Sequence, residues 1–282
     1  MSPHSGRLPR LLLALLALMV LVAGACGGGD DNEADDAGGD DDRPVTEQGQ
    51  ALKTVADGKL TVCTDIPYAP FEFEEEGKVV GIDAEIVRAI SGRLGLTPEF
   101  RDTDFAGIFA ALNAGQCDAI VSSVSITEER KKTVAFSDGY YDIVQSMLVR
   151  KADAATFTSF ASLKGRTIGV QSGTTGADFA KKEGAAQNVT VKEFDGADDL
   201  FSALKSNQID AVVQDFPVNA YNAKTTGDTV VTARFEGQKE QYGIVVPKGK
   251  DALLKAINGA LAEIRRDDTY NTIIRHYVGD TA

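Results

Sequence analysis

The sequence is 282 residues long and carries 42 acidic against 29 basic side chains, a formal net charge of −13. An acidic body with no basic patch argues against nucleic acid as a partner. Histidine occurs only as His4 and His276, which all but excludes a histidine base, a histidine triad or a histidine-built metal site; no metal or cofactor is expected.

The chain opens with Arg7 and Arg10, an apolar run from Leu11 to Val22, then Ala23, Gly24, Ala25 and Cys26. A basic start, a short apolar stretch and small residues before a cut describe a secretory signal over residues 1–26. The run is too short to span a bilayer, which takes ~20 apolar residues. The residues before Cys26 resemble the bacterial lipobox, in which the cysteine is acylated; Ala23 stands where that pattern prefers leucine. Residues 27–42 contain only Gly, Asp, Asn, Glu and Ala, eight of them acidic. Such a stretch cannot bury enough apolar surface to offset its ordering entropy, so residues 27–49 are expected to form a disordered acidic tether. Residues 43–282 keep 34 acids and 27 bases, a mildly acidic body long enough for two modest lobes.

From there, strands alternate with helices, the pattern of an α/β protein. Leu60–Thr64 reads as a strand. Ile82, Ile86, Val87, Ile90 and Leu94 make one apolar helical face. Thr97–Arg101 is a strand, Phe105–Asn113 a helix and Asp118–Val121 a strand. The order then recurs. Arg166–Val170 is a strand, Ala177–Glu183 a helix, Val189–Phe194 a strand, Leu200–Ser206 a helix and Asp210–Val213 a strand. Asp215–Lys224 is a helix with Pro217 in its first turn, where proline is tolerated. Asp251–Arg265 and Asp268–Tyr277 close the chain as helices.

Residues 109–121 (FAALNAGQCDAIV) and 201–213 (FSALKSNQIDAVV) agree at seven of thirteen positions with a constant offset of 92. Any amphipathic helix before a buried strand looks broadly like this, but the shared Gln and turn Asp favour two lobes of like topology. Ligands of open α/β sheets sit beyond the carboxyl ends of the strands. Ser122 and Ser123 would then face Gln214 and Asp215 across one cleft.

Around that cleft the candidates have distinct chemistries. In DAIVSSVSITEER, Thr127 looks like a helix N-cap and Arg130 can turn its guanidinium back toward the serine loop, a fork suited to a carboxylate. An ordinary solvated helix arginine is the competing reading. IGVQSGTTG, from Ile168 to Gly176, is a strand, a glycine loop and a helix start whose free N–H groups favour an anion; it lacks the GK[ST] ending of a nucleotide-binding loop. Asp215 could hold an ammonium or merely cap its own helix. Asp65, Tyr68 and Phe105, just beyond strand ends, could clamp a ligand side chain or fill the lobe core.

Taken together, TDIPYAPFEF, DAIVSSVSITEERKKTVAFSDGYY, GVQSGTT, DAVVQDFP and YGIVVPKG resemble the polar amino-acid-binding proteins of bacterial ABC importers, the extracellular solute-binding proteins of family 3. The resemblance runs from about Leu60 to Val278. It implies a two-lobed periplasmic-binding-protein fold, with two similar α/β lobes joined by two hinge strands near 140–145 and 238–242. Residues 50–140 and 243–282 would form lobe 1, and residues 141–242 lobe 2. It further implies that Arg130 takes the α-carboxylate with Ser125 and Thr175, and Asp215 the α-ammonium with Ser123. Tyr68 and Phe105 would clamp the side chain, with Asp65 at its far end. Gln171 departs from the pattern: glutamine binders carry lysine there, and binders of basic amino acids an apolar residue. The implied protein is a non-enzymatic, monomeric, lipid-anchored extracytoplasmic binder that hands a free basic amino acid or glutamine to a membrane permease. Arginine, lysine, histidine and glutamine all stay open as ligands. An exported enzyme resembling cyclohexadienyl dehydratases, or a ligand-sensing module, is the alternative on this scaffold.

Cys63 and Cys117 form an even pair in an oxidising compartment and lie on strands expected to be neighbours, which favours a disulfide. Against it, Cys117 aligns with Ile209 in the repeat, as a buried thiol behaving as a small hydrophobe would.

Overall fold

The computed structural model describes residues 52–279; the leader, Cys26 and the acidic segment 27–49 lie outside them. In chain order the elements are β1 (Lys59–Thr64), β2 (Phe73–Glu75), β3 (Lys78–Val80), α1 (Ile82–Arg93), β4 (Thr97–Asp102), α2 (Phe105–Asn113), β5 (Ala119–Ile120), α3 (Glu128–Lys131) and β6 (Val134–Phe136). There follow β7 (Tyr141–Arg150), β8 (Thr167–Gln171), α4 (Thr175–Gln187), β9 (Thr190–Phe194), α5 (Ala197–Lys205), β10 (Ala211–Asp215) and α6 (Phe216–Thr226). The last elements are β11 (Thr229–Tyr242), β12 (Val245–Pro247), α7 (Asp251–Arg266) and α8 (Thr269–Val278).

Two five-stranded mixed sheets organise them, in the orders β4-β1-β5-β12-β6 and β11-β7-β10-β8-β9. Each contains the same parallel triplet: β1 pairs with β4 and β5, as β8 pairs with β9 and β10. The fold is two-lobed α/β, and the repeat explains why the lobes are alike. Helices α2 and α5 begin and end 92 residues apart, matching the sequence offset. The repeated turn aspartate has one job in both copies. Asp118 Oδ2 accepts the N–H of Thr61 at 2.9 Å, and Asp210 Oδ2 accepts that of Thr167 at 2.9 Å. Each aspartate thereby ties the start of its central strand to the turn entering the next.

Helix α1 buries Ile82, Ile86, Val87 and Ile90 on one stripe, and α7 does the same with Leu253, Ile257, Leu261 and Ile264. Leu94, expected on the first stripe, is the C-cap residue of α1 and packs half-buried against the same core. The helix starts where it does because of Gly81. Its φ is +119°, and a Cβ there would sit 2.2 Å from the Phe71 carbonyl oxygen. Cys63 on β1 and Cys117 at the approach to β5 are bonded, with Cα atoms 5.7 Å apart. They lie in the same apolar cluster as Ile108 and Leu112, so the position is both buried and bridged.

The chain crosses between sheets twice, and the two crossings run side by side. The N–H of Ser137 reaches the Ile244 carbonyl at 2.8 Å and that of Tyr140 reaches the Tyr242 carbonyl at 2.7 Å. Tyr141 then pairs with Tyr242 as β7 and β11 begin a long antiparallel ladder. The two connections are thus the ends of second-sheet strands that extend well past the segments expected near 140–145 and 238–242.

Candidate functional site

The nine residues singled out from the sequence meet in one cleft between the sheets. Asp65, Tyr68, Phe105, Ser123, Ser125 and Arg130 come from the first lobe, and Gln171, Thr175 and Asp215 from the second; Ser122 and Thr174 complete the lining. All lie at or beyond the carboxyl ends of β1, β5, β8 and β10 or in the helix starts that follow, where open α/β sheets present their ligand sites. The walls close on one another, leaving room for about one water molecule. A wider groove of about 980 Å³ is lined by Tyr141, Phe216 and Lys239 among others. It is open and none of the nine residues lines it, so the interlobe cleft is the candidate site.

Arg130 is placed by a one-turn helix. Thr127 caps α3 by accepting the Arg130 N–H at 3.1 Å, and the guanidinium turns back over the cleft. It donates to the carbonyls of Ser125 at 2.8 Å and Gly173 at 3.1 Å, the second across the cleft. Its plane also lies near the rings of Phe105 and Phe109, at 5.5 and 5.3 Å. Burial lowers its pKa; the charges of Glu240 and Asp215 oppose that shift. Gly173 belongs to the glycine loop for two reasons: its φ is +77°, and a Cβ would come within 3.3 Å of Ala106 on the opposite lobe. The following helix begins at Thr175, two residues before the expected start, because Thr174 supplies the cap to the Ala177 N–H.

Asp215 is the N-cap residue of α6, yet its side chain makes no capping bond. The carboxylate turns into the cleft instead. Its Oδ2 accepts the hydroxyls of Tyr68 (2.8 Å) and Tyr242, and its Oδ1 accepts Gln145 Nε2 at 2.6 Å. Burial, reinforced by the nearby Glu240 charge, pushes its pKa up to about 6 against those three donors. Tyr68 reaches across from the first lobe, so its hydroxyl is engaged by the acid while its ring lines the cleft. Among the described residues neither Arg130 nor Asp215 has an ion-pair partner within 4.0 Å; each is held by neutral groups.

Asp65 lies at the other end. Its Oδ2 accepts Gln171 Nε2, which also donates to the Asp195 carbonyl at 3.0 Å. Burial pushes the Asp65 pKa up to about 7; the Gln171 bond opposes this, and the charges of Asp102 and Asp104 add to it. Since two acceptors flank the Gln171 nitrogen, its orientation is fixed and its oxygen faces Gln214 at 3.5 Å. Ser123 holds a left-handed backbone, φ +50°, and donates its N–H to Asp83 at 2.7 Å. Thr175 donates its hydroxyl to Glu240 at 2.7 Å.

Three residues of this network escaped the sequence reading: Gln145, Glu240 and Tyr242, all on the crossing strands. Gln145 left a trace, a lone amide inside the apolar run IVQSMLV. Glu240 left none, because its approach to the cleft depends on the register of β11 against β7. No helix of the described residues is long and apolar enough to cross a membrane.

Residues 60–280 match the family model of bacterial extracellular solute-binding proteins, family 3. An L-cystine-binding protein, TcyJ, of Escherichia coli (strain K12) is 29% identical over 234 residues, spanning 83% of this chain and 87% of that one. A histidine-binding periplasmic protein of Salmonella typhimurium (strain LT2) is 32% identical over 230 residues, 78% of this chain and 87% of the other. Among solved structures, an ancestral arginine-binding protein bound to arginine is 39% identical with a TM-score of 0.75, covering 79% of this chain and 99% of that one.

Proposed function

The chain belongs to the bacterial extracellular solute-binding proteins, family 3, and on that premise we propose that it binds a free basic L-amino acid or glutamine between its lobes for delivery to an ABC-type importer. One observation carries the reading. A half-buried arginine and a buried aspartate project into one closed cleft from different lobes, each satisfied only by neutral partners. An α-amino acid is a zwitterion whose carboxylate can take the Arg130 fork and whose ammonium can take Asp215. Each would replace a neutral hydrogen bond by a charge-assisted one, and the bound molecule would tie the lobes together. Ser125 and Thr175 flank the carboxylate end, Ser123 the ammonium end, and Tyr68 and Phe105 the side chain.

The far end supports a cationic side chain over an amide. Gln171 spends its N–H donors on Asp65 and the Asp195 carbonyl and turns its oxygen to Gln214, so what is left for a ligand there is the Asp65 carboxylate. Acceptors alone suit guanidinium or ammonium. Glutamine would have to bring its own acceptor beside them. The relatives named for arginine and histidine are consistent with this preference.

The protein acts as a binder without turnover. Incubation with a cyclohexadienyl acid followed by proton NMR separates this from the enzymatic alternative: the reading expects the compound back unchanged. Isothermal calorimetry with arginine, lysine, histidine and glutamine tests the ligand class, and binding of none of the four overturns it. At the amino end, acylation of Cys26 would tether the protein outside the cell membrane. Cys26→Ser should then release it from the membrane fraction; retention of the variant there contradicts the anchor.

A further inference from the structure

Beneath the first-lobe wall of the cleft lie two carboxyls that line no part of it. Glu72 and Asp83 are each only 1% exposed. Glu72 follows the Tyr68–Phe71 turn, and Asp83 stands in the first turn of α1. The two carboxyls are near enough for each to act on the other's titration. Glu72 Oε1 accepts the Ser122 hydroxyl at 2.8 Å, and the Ser122 oxygen in turn accepts the Asp65 N–H at 2.9 Å. Asp83 Oδ2 accepts the Ser123 N–H at 2.7 Å and the Tyr140 hydroxyl at 2.8 Å. Glu72 Oε2 and Asp83 Oδ1 are buried and meet no donor among the described residues.

Ionised carboxylates only accept, so two neighbouring buried carboxyls that each keep an oxygen without a donor are satisfied together by a proton on one of them. The donor count says which. Asp83 receives two further donors and is the better-stabilised anion; Glu72 receives one and is the acid. We propose that Glu72 is neutral and donates its carboxyl proton to Asp83, and that this shared proton positions Ser122, the left-handed Ser123 and the Asp65 backbone as one wall of the cleft. The link to affinity rests on the reading of that wall as the ligand site; the link to stability does not.

Burial and the Asp83 charge hold the Glu72 pKa well above its ordinary value, while burial raises Asp83 to about 6 against its donors. The titratable groups facing the pair are Asp65 and Tyr68 beyond β1, Tyr140 at the crossing and Tyr270 of α8, all acids or phenols. A group whose folded pKa is raised contributes stability that is present at low pH and lost as pH climbs through the folded value. Asp65, Asp83 and Asp215 titrate in the same direction, so the native profile alone does not isolate Glu72. A comparison does. Glu72→Gln keeps a donor for Asp83 and an acceptor for Ser122 but has no proton to lose.

Thermal unfolding of native protein, Glu72→Gln and Glu72→Ala from pH 5 to 8 without ligand is the first arm. The difference between the glutamine variant and the native protein should move in favour of the variant by about 4 °C or more across that range. The alanine variant should melt below both at every pH. A difference that stays flat with pH, or a glutamine variant as unstable as alanine, overturns the shared proton. L-Arginine and L-glutamine titrations at pH 6 form the second arm. Glutamine at position 72 should bind within about threefold of native, and alanine about tenfold or more weaker, a step of ~1.4 kcal/mol. Equal affinity in all three proteins overturns the positioning role. If native protein binds neither probe, it is the ligand reading that fails, and the melting curves still decide the shared proton.

Discussion

Asp65 and Gln171 stand 106 residues apart on different lobes and meet in the cleft through a hydrogen bond from Gln171 Nε2 to Asp65 Oδ2. The pairing engages the donors of the Gln171 amide, so on the proposed reading the negative charge of Asp65 is left to set what kind of side chain is accepted.

Replacing that charge is therefore the probe of specificity. Asp65→Asn should weaken arginine by about ten- to a hundredfold, the range of a lost charge-assisted bond of ~1.5–3 kcal/mol. Citrulline, with the same length and no charge, should lose less than about threefold. Equal losses for the two would mean that Asp65 does not read side-chain charge. Tight binding of glutamate by the native protein would remove the argument altogether.

Acidification should act on affinity and on stability in opposite senses. Burial raises Asp215 to about 6 and Asp65 to about 7. In the protein alone, their contribution to stability is present below the ordinary carboxylate range and is lost as pH rises through 6 and 7. A cationic ligand needs both acids ionised, so its affinity should rise over the same window. Between pH 5 and pH 8 the dissociation constant for arginine should tighten by about tenfold or more, measured by calorimetry in buffers of matched ionic strength. A pH-independent constant contradicts the assignment of these acids to the ligand.

The Cys63–Cys117 bond closes a loop of 54 residues. Loop-closure entropy alone puts its contribution at ~4 kcal/mol, or about 8–16 °C in melting temperature for a domain of this size. Reduction, or the Cys63→Ala/Cys117→Ala pair, should lower the melting point by that order. Two free thiols titrated in denatured, unreduced protein would contradict the bond.

Much of this arrangement was legible in the sequence, and the reason is the repeat. Gln116 and Asp118 match Gln208 and Asp210 because each pair closes a helix and ties the next strand to its neighbour. Once two lobes are granted, strand ends give the cleft: Asp65, Gln171 and Asp215 lie at them, and Arg130 in the one-turn helix that follows β5. Short elements were not legible. The three-residue strands of the β2–β3 hairpin sit in an acidic run with no alternation, and β6 and β12 are held by partners more than a hundred residues away. The same holds for Gln145, Glu240 and Tyr242. Their chemistry is visible, but only the pairing of β7 with β10 and with β11 brings it to Asp215.

The central claim is that Arg130 receives a ligand carboxylate. Titration of L-arginine by calorimetry into native protein and Arg130→Ala tests it most directly. Removing one partner of a buried charge pair costs ~3–5 kcal/mol, so affinity should fall by about two to four orders of magnitude with the fold intact by circular dichroism. A loss of less than about tenfold in a folded variant would take Arg130 out of the site and contradict the account.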